Sequence, residues 1–332
     1  MQKNVLSFIA MASVMLMGCQ TAPTTMTTTT QIVNKNTVAT RVEAQQRPNQ
    51  IDFKKIKDTE KRPVIAFVLG SGGARGYAHI GAIEVLEQAG IRPDFIVGTS
   101  AGSIVGSIYA SGKPAIELRN IALSMKANDV RDIKLDMKGF FDGKKVEDYV
   151  NLQVDQTPLE ALKIPMFVVA TELKEGKKVV FNYGDTGQAV RASVSIPSMF
   201  IPTTIEQKEY VDGGLVSPVP VDIARELGAD IVIAVDILAQ PEHTETTNVW
   251  GLFNQNINIM QNRLAAQELK HADIVIQPDI REKGHIFDVR GRELTMQAGT
   301  DAALEQLNHI QQVFQLHQYD NGHQISKLLT KQ

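Results

Sequence analysis

The chain has 332 residues, of which 43% are hydrophobic and 21% are charged, so it can bury a sizeable core. Its formal net charge of -3 supplies no basic excess to neutralise phosphates, which argues against a nucleic-acid partner. A single cysteine excludes an intramolecular disulfide framework.

The N-terminal segment has the pattern of a secretory signal. Lys3 gives it a positive start, and residues 5–17 are nearly all apolar but too few for a helix that spans a bilayer. Leu-Met-Gly then precedes Cys19, the one cysteine of the chain. This segment resembles a bacterial lipobox. The resemblance implies a signal peptide over residues 1–18, cleavage before Cys19 and a diacylglyceryl group on that cysteine.

Lipidation at Cys19 would hold the mature chain at a membrane, because several acyl chains on one residue anchor stably. The residue after the cysteine is Gln20 rather than Asp, which by resemblance to enteric lipoproteins implies the outer membrane of a bacterial cell envelope, facing the periplasm. Residues 19–62 are rich in Thr and Lys, and eight basic against four acidic residues give them a charge of +4. We predict that they form a disordered tether, since they have little apolar surface to bury.

From residue 63 the sequence alternates between short apolar runs and segments of helical periodicity. The apolar runs predict strands over 64–69, 95–97, 166–171, 179–183, 231–236 and 274–277. The periodic segments predict helices over 76–89, 102–110, 221–227, 257–269 and 293–314. This alternation indicates one α/β domain over residues 63–317 with a largely parallel sheet, followed by a polar tail over 318–332.

One strand-to-helix junction carries the pattern Gly-x-Ser-x-Gly, with Gly98, Ser100 and Gly102. A sharp turn there would project the Ser100 hydroxyl from the sheet, and the glycines would let strand and helix pass closely. Because a buried strand precedes the motif and a helix follows it, we favour a catalytic serine over one that only caps the helix.

A glycine-rich loop, residues 70–76, joins the first predicted strand to the first helix. It is not a dinucleotide fingerprint, because Arg75 stands where the last glycine is required, and it lacks the Gly-Lys-Ser/Thr of a P-loop. Two interpretations remain: an oxyanion hole made of backbone N–H groups at a helix N-terminus, or a tight turn without a ligand. The third motif, Asp212-Gly213-Gly214, would by itself indicate only a turn.

Taken together and in this order, the three motifs resemble the patatin-like phospholipase family, over most of residues 64–305. The resemblance implies a three-layer α/β/α domain with a Ser-Asp dyad, in which Ser100 is the nucleophile and Asp212 the general base. It also implies an oxyanion hole made by Gly72, Gly73, Ala74 and Arg75, and it requires neither a cofactor nor a metal. Ser71 is a departure, since close relatives often carry glycine there.

The expected activity is hydrolysis of acyl esters of membrane lipids through an acyl-serine intermediate, as in a phospholipase A, lysophospholipase or esterase. Two alternatives are an acyltransferase that uses the same acyl-enzyme and a non-catalytic lipid-binding envelope protein. A Ser-Asp-His triad is a further alternative. The histidines that could complete it after Asp212 are His243, His271, His285, His309 and His317.

Overall fold

The computed structural model describes residues 39–40, 53, 55–243, 246–280, 290–317 and 328. All of them belong to one unit, Lys35–Gln332. The predicted signal peptide, Cys19, most of the predicted tether and all but one residue of the tail lie outside the described residues. Phe53 and Ile56 from the end of the tether segment pack against the domain, Phe53 edge-on against Phe95.

Two sets of elements make up the described part of the chain. The strands are β1 (Ala39–Thr40), β2 (Ile65–Leu69), β3 (Phe95–Thr99), β4 (Ile133–Asp136), β5 (Gly139–Phe141), β6 (Met166–Glu172), β7 (Lys177–Tyr183), β8 (Thr203–Ile205), β9 (Lys208–Asp212), β10 (Ile231–Val235) and β11 (Ile274–Ile276). The α-helices are α1 (Tyr77–Gln88), α2 (Ala101–Ala110), α3 (Ala115–Ser124), α4 (Ala127–Val130), α5 (Lys144–Gln153), α6 (Thr186–Val194), α7 (Val221–Glu226), α8 (Val249–Glu268) and α9 (Arg292–Leu316).

The central sheet has five parallel strands in the order β6-β3-β2-β10-β11. Strands β7 and β1 extend it beyond β6 in antiparallel pairing, and a separate hairpin joins β4 to β5. The parallel strands β2, β3 and β10 are buried along their whole length, as expected for continuous apolar runs covered on both faces. The predicted α/β class with a largely parallel sheet is therefore confirmed.

Helices cover both faces of this sheet. Alternate residues of β2 point into two separate cores: Phe67 packs in the core that contains α1, α2 and α9, whereas Val68 packs in the core that contains α7 and one end of α8. Helices α1 and α9 cross at Gly81 and Gly299, where a Cβ on either glycine would collide with the backbone of the other helix. The result is the three-layer arrangement that the sequence predicted.

Strand β6 brings the ends of β3 and β9 together. Both strands pair with the edge of β6 opposite β7: β3 runs parallel to β6 and ends with Thr99 beside Val169, and β9 runs antiparallel to β6 and ends with Asp212 beside Ala170. The carboxyl ends of β3 and β9 therefore face each other, because they pair with consecutive residues of β6. Ser100, the residue after β3, lies in the junction.

Several elements differ from the predicted ones. Helices α3, α5 and α6 and the hairpins β4–β5 and β8–β9 were not predicted, and α8 begins at Val249 rather than at 257. Within the described part of the chain, no helix combines the length and the apolar character needed to cross a bilayer.

Candidate active site

Ser100 occupies the sharp turn that the Gly-x-Ser-x-Gly pattern predicted. Its φ of 54° and ψ of -120° lie in a region that side-chain-bearing residues rarely adopt, at a cost of about 1–3 kcal/mol. Gly98 and Gly102 make the turn possible. A Cβ on Gly102 would collide with the Leu69 carbonyl, and one on Gly98 would lie 2.7 Å from the Gly102 oxygen.

Ser193, near the end of α6, links this turn to β6 through hydrogen bonds. The backbone N–H of Ser100 donates to the Ser193 hydroxyl at 2.8 Å, and that hydroxyl donates to the carbonyl of Val169 on β6 at 2.6 Å. The strained residue is therefore tied to the strand that aligns β3 and β9. No sequence motif marked Ser193.

The side chains of Ser100 and Asp212 are in direct contact. The Ser100 hydroxyl donates to Asp212 Oδ2 at 2.5 Å, although the two residues are 112 positions apart in the chain. Ser100 is 2% exposed and Asp212 4% exposed, so this pair is largely removed from water. The other carboxylate oxygen, Oδ1, accepts the backbone N–H of Gly214 at 2.7 Å.

Burial and hydrogen bonding both act on the pKa of Asp212. Burial raises the pKa of Asp212 to about 6, while the hydrogen bonds from Ser100 and Gly214 favour the carboxylate and oppose that rise. The Asp212 carboxylate is therefore ionised at neutral pH. Its proton affinity is higher than that of a carboxylate in water, which would suit a general base. Gly213 packs so closely on Val169 that a Cβ there would collide with the strand.

The glycine-rich loop lies beside the pair. Gly73 and Ala74 begin a short 3-10 helix and line the same cavity as Ser100. At a helix N-terminus the first backbone N–H groups have no partner within the helix, so they can serve a ligand. Gly72 is packed so tightly on Ile237 that a Cβ would come within 2.7 Å of it.

Arg75 does not point at the pair. Its side chain donates from Nε to the carbonyl of Ile237 at 2.8 Å, and its backbone N–H donates to the carbonyl of Gly72 at 3.3 Å. Burial lowers the pKa of Arg75 to about 10, with nearby Asp236 opposing that change, so the guanidinium remains charged at neutral pH. The arginine thus anchors the loop to the segment after β10.

Among the described residues, no histidine hydrogen-bonds to Ser100 or Asp212. His271 contacts Asp222 through Nδ1 at 2.6 Å, and His243 lies beside Glu242 at the surface. His285 lies outside the described residues. His79 is buried and bonds through Nε2 to the Gly70 carbonyl at 2.9 Å, and burial lowers its pKa to about 4, so it is neutral and supports the loop.

A second buried carboxylate lies behind the Asp-Gly-Gly turn. Glu268, from α8, accepts hydrogen bonds from the Ser217 hydroxyl and, at 3.2 Å, from the backbone N–H of Val219. The carbonyl of Ser217 in turn accepts the Thr99 hydroxyl at 2.9 Å, next to Ser100. Burial raises the pKa of Glu268 to about 7. No local sequence pattern indicates this contact, because its partners lie on separate elements.

Ser100 lines an apolar cavity whose space, with the open solvent at its mouth included, is about 990 Å³. Apart from Ser100 and two tyrosines, Tyr77 and Tyr149, aliphatic, aromatic and glycine residues form its walls. Helices α1 to α5 all contribute, with Ile80, Ile104, Val105, Ile108, Leu118, Ile121, Ala122, Met125, Val130 and Val146 among the lining residues. Such a space suits a long apolar group and offers few partners to a polar one.

The sequence that contains this site is similar to known proteins. Residues 67–225 match the family model described as patatin-like phospholipase. Residues 67–225 therefore form a patatin-like phospholipase domain. The matched segment contains the glycine-rich loop, Ser100 and Asp212, so all three motifs of this patatin-like domain lie within it.

Relatives of the patatin-like chain come from bacteria and mammals. An uncharacterized NTE family protein of Mycobacterium tuberculosis is 36% identical over 178 residues, which are 53% of this chain and 49% of that protein. The human patatin-like phospholipase domain-containing protein 6 is 31% identical over 232 residues, 66% of this chain and 17% of that protein. The chain thus spans about half, or less, of the length of these relatives.

Solved structures provide a further, weaker likeness. The crystal structure of VipD from Legionella pneumophila aligns with 77% of this chain and 67% of its own, at 15% identity and a TM-score of 0.44.

Proposed function

We propose that the protein is a lipid acyl hydrolase in which Ser100 is the nucleophile and Asp212 the general base. The observation that carries this proposal is the 2.5 Å hydrogen bond between their side chains at an apolar cavity. Family membership supports the choice of lipid esters as the substrate class.

In the proposed cycle, Ser100 Oγ attacks the ester carbonyl and its proton passes to Asp212 Oδ2. The carbonyl oxygen becomes an oxyanion, which backbone N–H groups of Gly73 and Ala74 stabilise. The tetrahedral adduct collapses, the C–O bond to the alcohol breaks and Asp212 returns the proton to the leaving alcohol or lysolipid. Water then attacks the acyl-serine and gives a proton to Asp212, which restores the Ser100 hydroxyl and releases the fatty acid.

Each of the four loop residues has a distinct part in this proposal. Gly73 and Ala74 supply donors because they begin the short helix and face the cavity. Gly72 permits the close packing on Ile237, and Arg75 fixes the loop through its bond to the same residue. The apolar cavity would receive the acyl chain, and its aliphatic walls would exclude water from the acyl-enzyme.

The test compares Ser100→Ala with the wild type on a short-chain chromogenic ester and a lysophospholipid. We expect the variant to lose at least about 10³-fold in kcat, as for other serine hydrolases that lose the nucleophile. Ser124→Ala, which removes an exposed hydroxyl on α3, is the matched control and should keep full activity. Equal turnover by wild type and Ser100→Ala would contradict the proposal.

Product analysis separates hydrolysis from acyl transfer. With an added alcohol acceptor, a hydrolase releases mainly free fatty acid, whereas a transferase forms a new ester in proportion to the acceptor. A folded wild type that binds lipid without turnover would instead favour the non-catalytic binding role.

We also propose that the chain is anchored to the outer membrane of a bacterial envelope through lipid on Cys19. The lipobox pattern and the single cysteine support this proposal. Metabolic labelling of the full chain with palmitate should give a labelled protein, and Cys19→Ser should remove the label. A label that persists in that variant would contradict the anchor.

A further inference from the structure

The hairpin β4–β5 exposes large apolar side chains at the surface of the protein. Met137, in the turn at the tip of the hairpin, is as exposed as in an extended chain (104%). Ile133 on β4 is 74% exposed and Phe140 on β5 is 56% exposed. Turns at a protein surface normally carry polar residues or glycine, so an apolar tip calls for a partner.

The base of this hairpin is held rigidly. The carboxylate of Asp132 accepts the backbone N–H groups of Gly143 and Lys145, each at 2.9 Å. Arg191 of α6 bonds to the carbonyl of Asp142 at 3.1 Å and pairs with its carboxylate. The base of the hairpin is therefore bound to α6, the helix that carries Ser193, and the tip projects away from these contacts.

The hairpin continues from the wall of the cavity that contains Ser100. Phe141 packs on Phe200 with ring centroids 5.6 Å apart, and Phe200 lines the cavity. The backbone N–H groups of Phe140 and Phe141 both donate to the carbonyl of Met199. Two residues just before the hairpin, Met125 and Val130, also line the cavity. The contact between Phe141 and Phe200 therefore joins the hairpin to the cavity wall.

Charge around the hairpin favours an anionic surface as the partner. Residues 126–145 contain six basic and four acidic residues, a net charge of +2 in a chain of net charge -3. Two of those acids, Asp132 and Asp142, bond within the hairpin base. The Lys134 amino group pairs with Asp142 at 3.0 Å and that of Lys138 pairs with Glu209, and both lysine side chains remain more than half exposed. Basic residues beside exposed apolar ones are the pattern of an interfacial membrane contact.

We propose that the β4–β5 hairpin inserts Met137, at its tip, and Phe140 into the surface of a phospholipid bilayer, with Ile133 nearer the base of the hairpin at the membrane surface. Lys134 and Lys138 there exchange their exposed contacts with Asp142 and Glu209 for lipid phosphates. The choice of a lipid surface rests on the proposed function, because a lipid acyl chain needs an apolar path from the bilayer to Ser100. The hairpin provides the outer part of that path and the cavity wall the inner part.

An environment-sensitive fluorophore at the tip tests insertion. Cys19→Ser leaves the full chain without cysteine, so Met137→Cys in that background gives one labelling site. Vesicles of phosphatidylethanolamine and phosphatidylglycerol should shift the emission to the blue, and brominated acyl chains should quench it. The matched control is the label at Arg92→Cys, an exposed site just before β3 and thus at the edge of the sheet away from Ser100, where no change is expected.

A label at position 137 that responds no more than the label at 92 would overturn the inference. A blue shift that occurs without vesicles and rises with protein concentration would also overturn it, in favour of contact with a second copy. Turnover of a soluble short-chain ester, measured in parallel, needs Ser100 but no bilayer. Insertion without ester turnover would support the hairpin inference and contradict the proposed function. Ester turnover without insertion would support the proposed function and contradict the hairpin inference.

Unlabelled variants provide an independent measurement. We expect Met137→Ser to lower partitioning of the Cys19→Ser chain into the same vesicles about tenfold, the value expected for losing one buried apolar side chain. Its turnover of the soluble ester should be unchanged. Leu316→Ser removes an equally exposed apolar side chain at the end of α9 and should leave partitioning unaltered. An equal loss in both variants would count against a specific role of the hairpin.

Discussion

Ser193 holds Ser100 in its strained backbone conformation by accepting the Ser100 N–H and donating to the carbonyl of Val169. The hydrogen bonds cross three elements: the turn after β3, the end of α6 and strand β6. Removal of the Ser193 hydroxyl would leave a buried N–H and a buried carbonyl without this partner, at a cost of about 1–3 kcal/mol.

We therefore expect Ser193→Ala to lower kcat on a short-chain ester about tenfold with little change in KM, because the nucleophile is displaced while the cavity is intact. Ser107→Ala is the matched control. Ser107 is a fully buried serine on α2 whose hydroxyl has no hydrogen-bond partner among the described residues, so its removal leaves none of them unsatisfied and should not change kcat. Equal kcat in both variants would show that the Ser193 contact does not position Ser100.

The pH dependence of activity should report Asp212. Because a base must be ionised and the pKa of Asp212 is raised to about 6, kcat/KM should rise about tenfold per pH unit below 6 and level off above it. Asp212→Asn should remove activity at all pH values. Asp222→Asn changes an exposed aspartate paired with His271 and should keep the same profile. An acid limb near pH 4 would indicate an Asp212 that is solvated and not the buried base described above.

Substrate chain length should depend on the cavity wall formed by α3. Ala122→Phe adds a ring on the face of α3 that lines the cavity, so we expect hydrolysis of long-chain esters to fall well below that of short-chain esters. Ile116→Phe adds comparable bulk to an exposed position of the same helix and should leave the chain-length profile as in the wild type. Rates on a series of nitrophenyl esters of increasing length measure the effect, and a parallel loss at every length would argue against an acyl-chain site.

Glu268 should make stability depend on pH near neutrality. Between its ordinary pKa of 4.5 and the folded value of about 7, the folded state binds more protons at this group than the unfolded chain does. Its contribution to stability is therefore largest below pH 4.5 and falls, by about 3 kcal/mol in all, as pH rises through 7. Urea unfolding at pH 5 and pH 8 measures this fall.

Glu268→Gln keeps donors and acceptors for Ser217 and Val219 but cannot ionise, so the difference in unfolding free energy between the two pH values should shrink. Glu226→Gln, on α7, is a control that should behave as the wild type. If Glu268→Gln shows the same pH dependence as the wild type, Glu268 is not protonated on folding.

The parts of the fold that the sequence predicts are those with a local signal. Strands β2, β3 and β10 are uninterrupted apolar runs, and the turn at Ser100 follows from two glycines at fixed spacing. Hydrophobic periodicity and glycine spacing are properties of neighbouring residues, so they can be read without tertiary contacts.

Strand β9 lacked such a signal. It belongs to a hairpin whose turn residues, Glu206 and Gln207, have φ values of 46° and 67°. Asn-Gly is the usual sequence for a two-residue hairpin turn with positive φ values, so the Glu-Gln sequence does not indicate a hairpin. The sequence around Asp212 by itself consequently indicates only a turn, and the pairing of β9 with β6 places Asp212 at the end of a strand.

The cavity and the hairpin β4–β5 were likewise not predictable, for a different reason. The cavity walls come from six helices that no local pattern brings together, and the hairpin has an apolar residue, Met137, at the turn where polar residues or glycine are expected. Ser193 and Glu268 act through partners on other strands and turns, so single-sequence patterns do not reveal them.

The end-to-end meeting of β3 and β9 on β6 also has a consequence for how the protein reaches its native state. Ser100 cannot meet Asp212 until a strand 112 positions further along the chain has docked, and contacts at such separation form late because closing the intervening loop costs entropy. A refolding chain would regain helical signal before it regains ester turnover. Ser100 and Asp212 thus remain apart in incompletely folded molecules, and under the proposed mechanism hydrolytic activity begins only once the central sheet is complete.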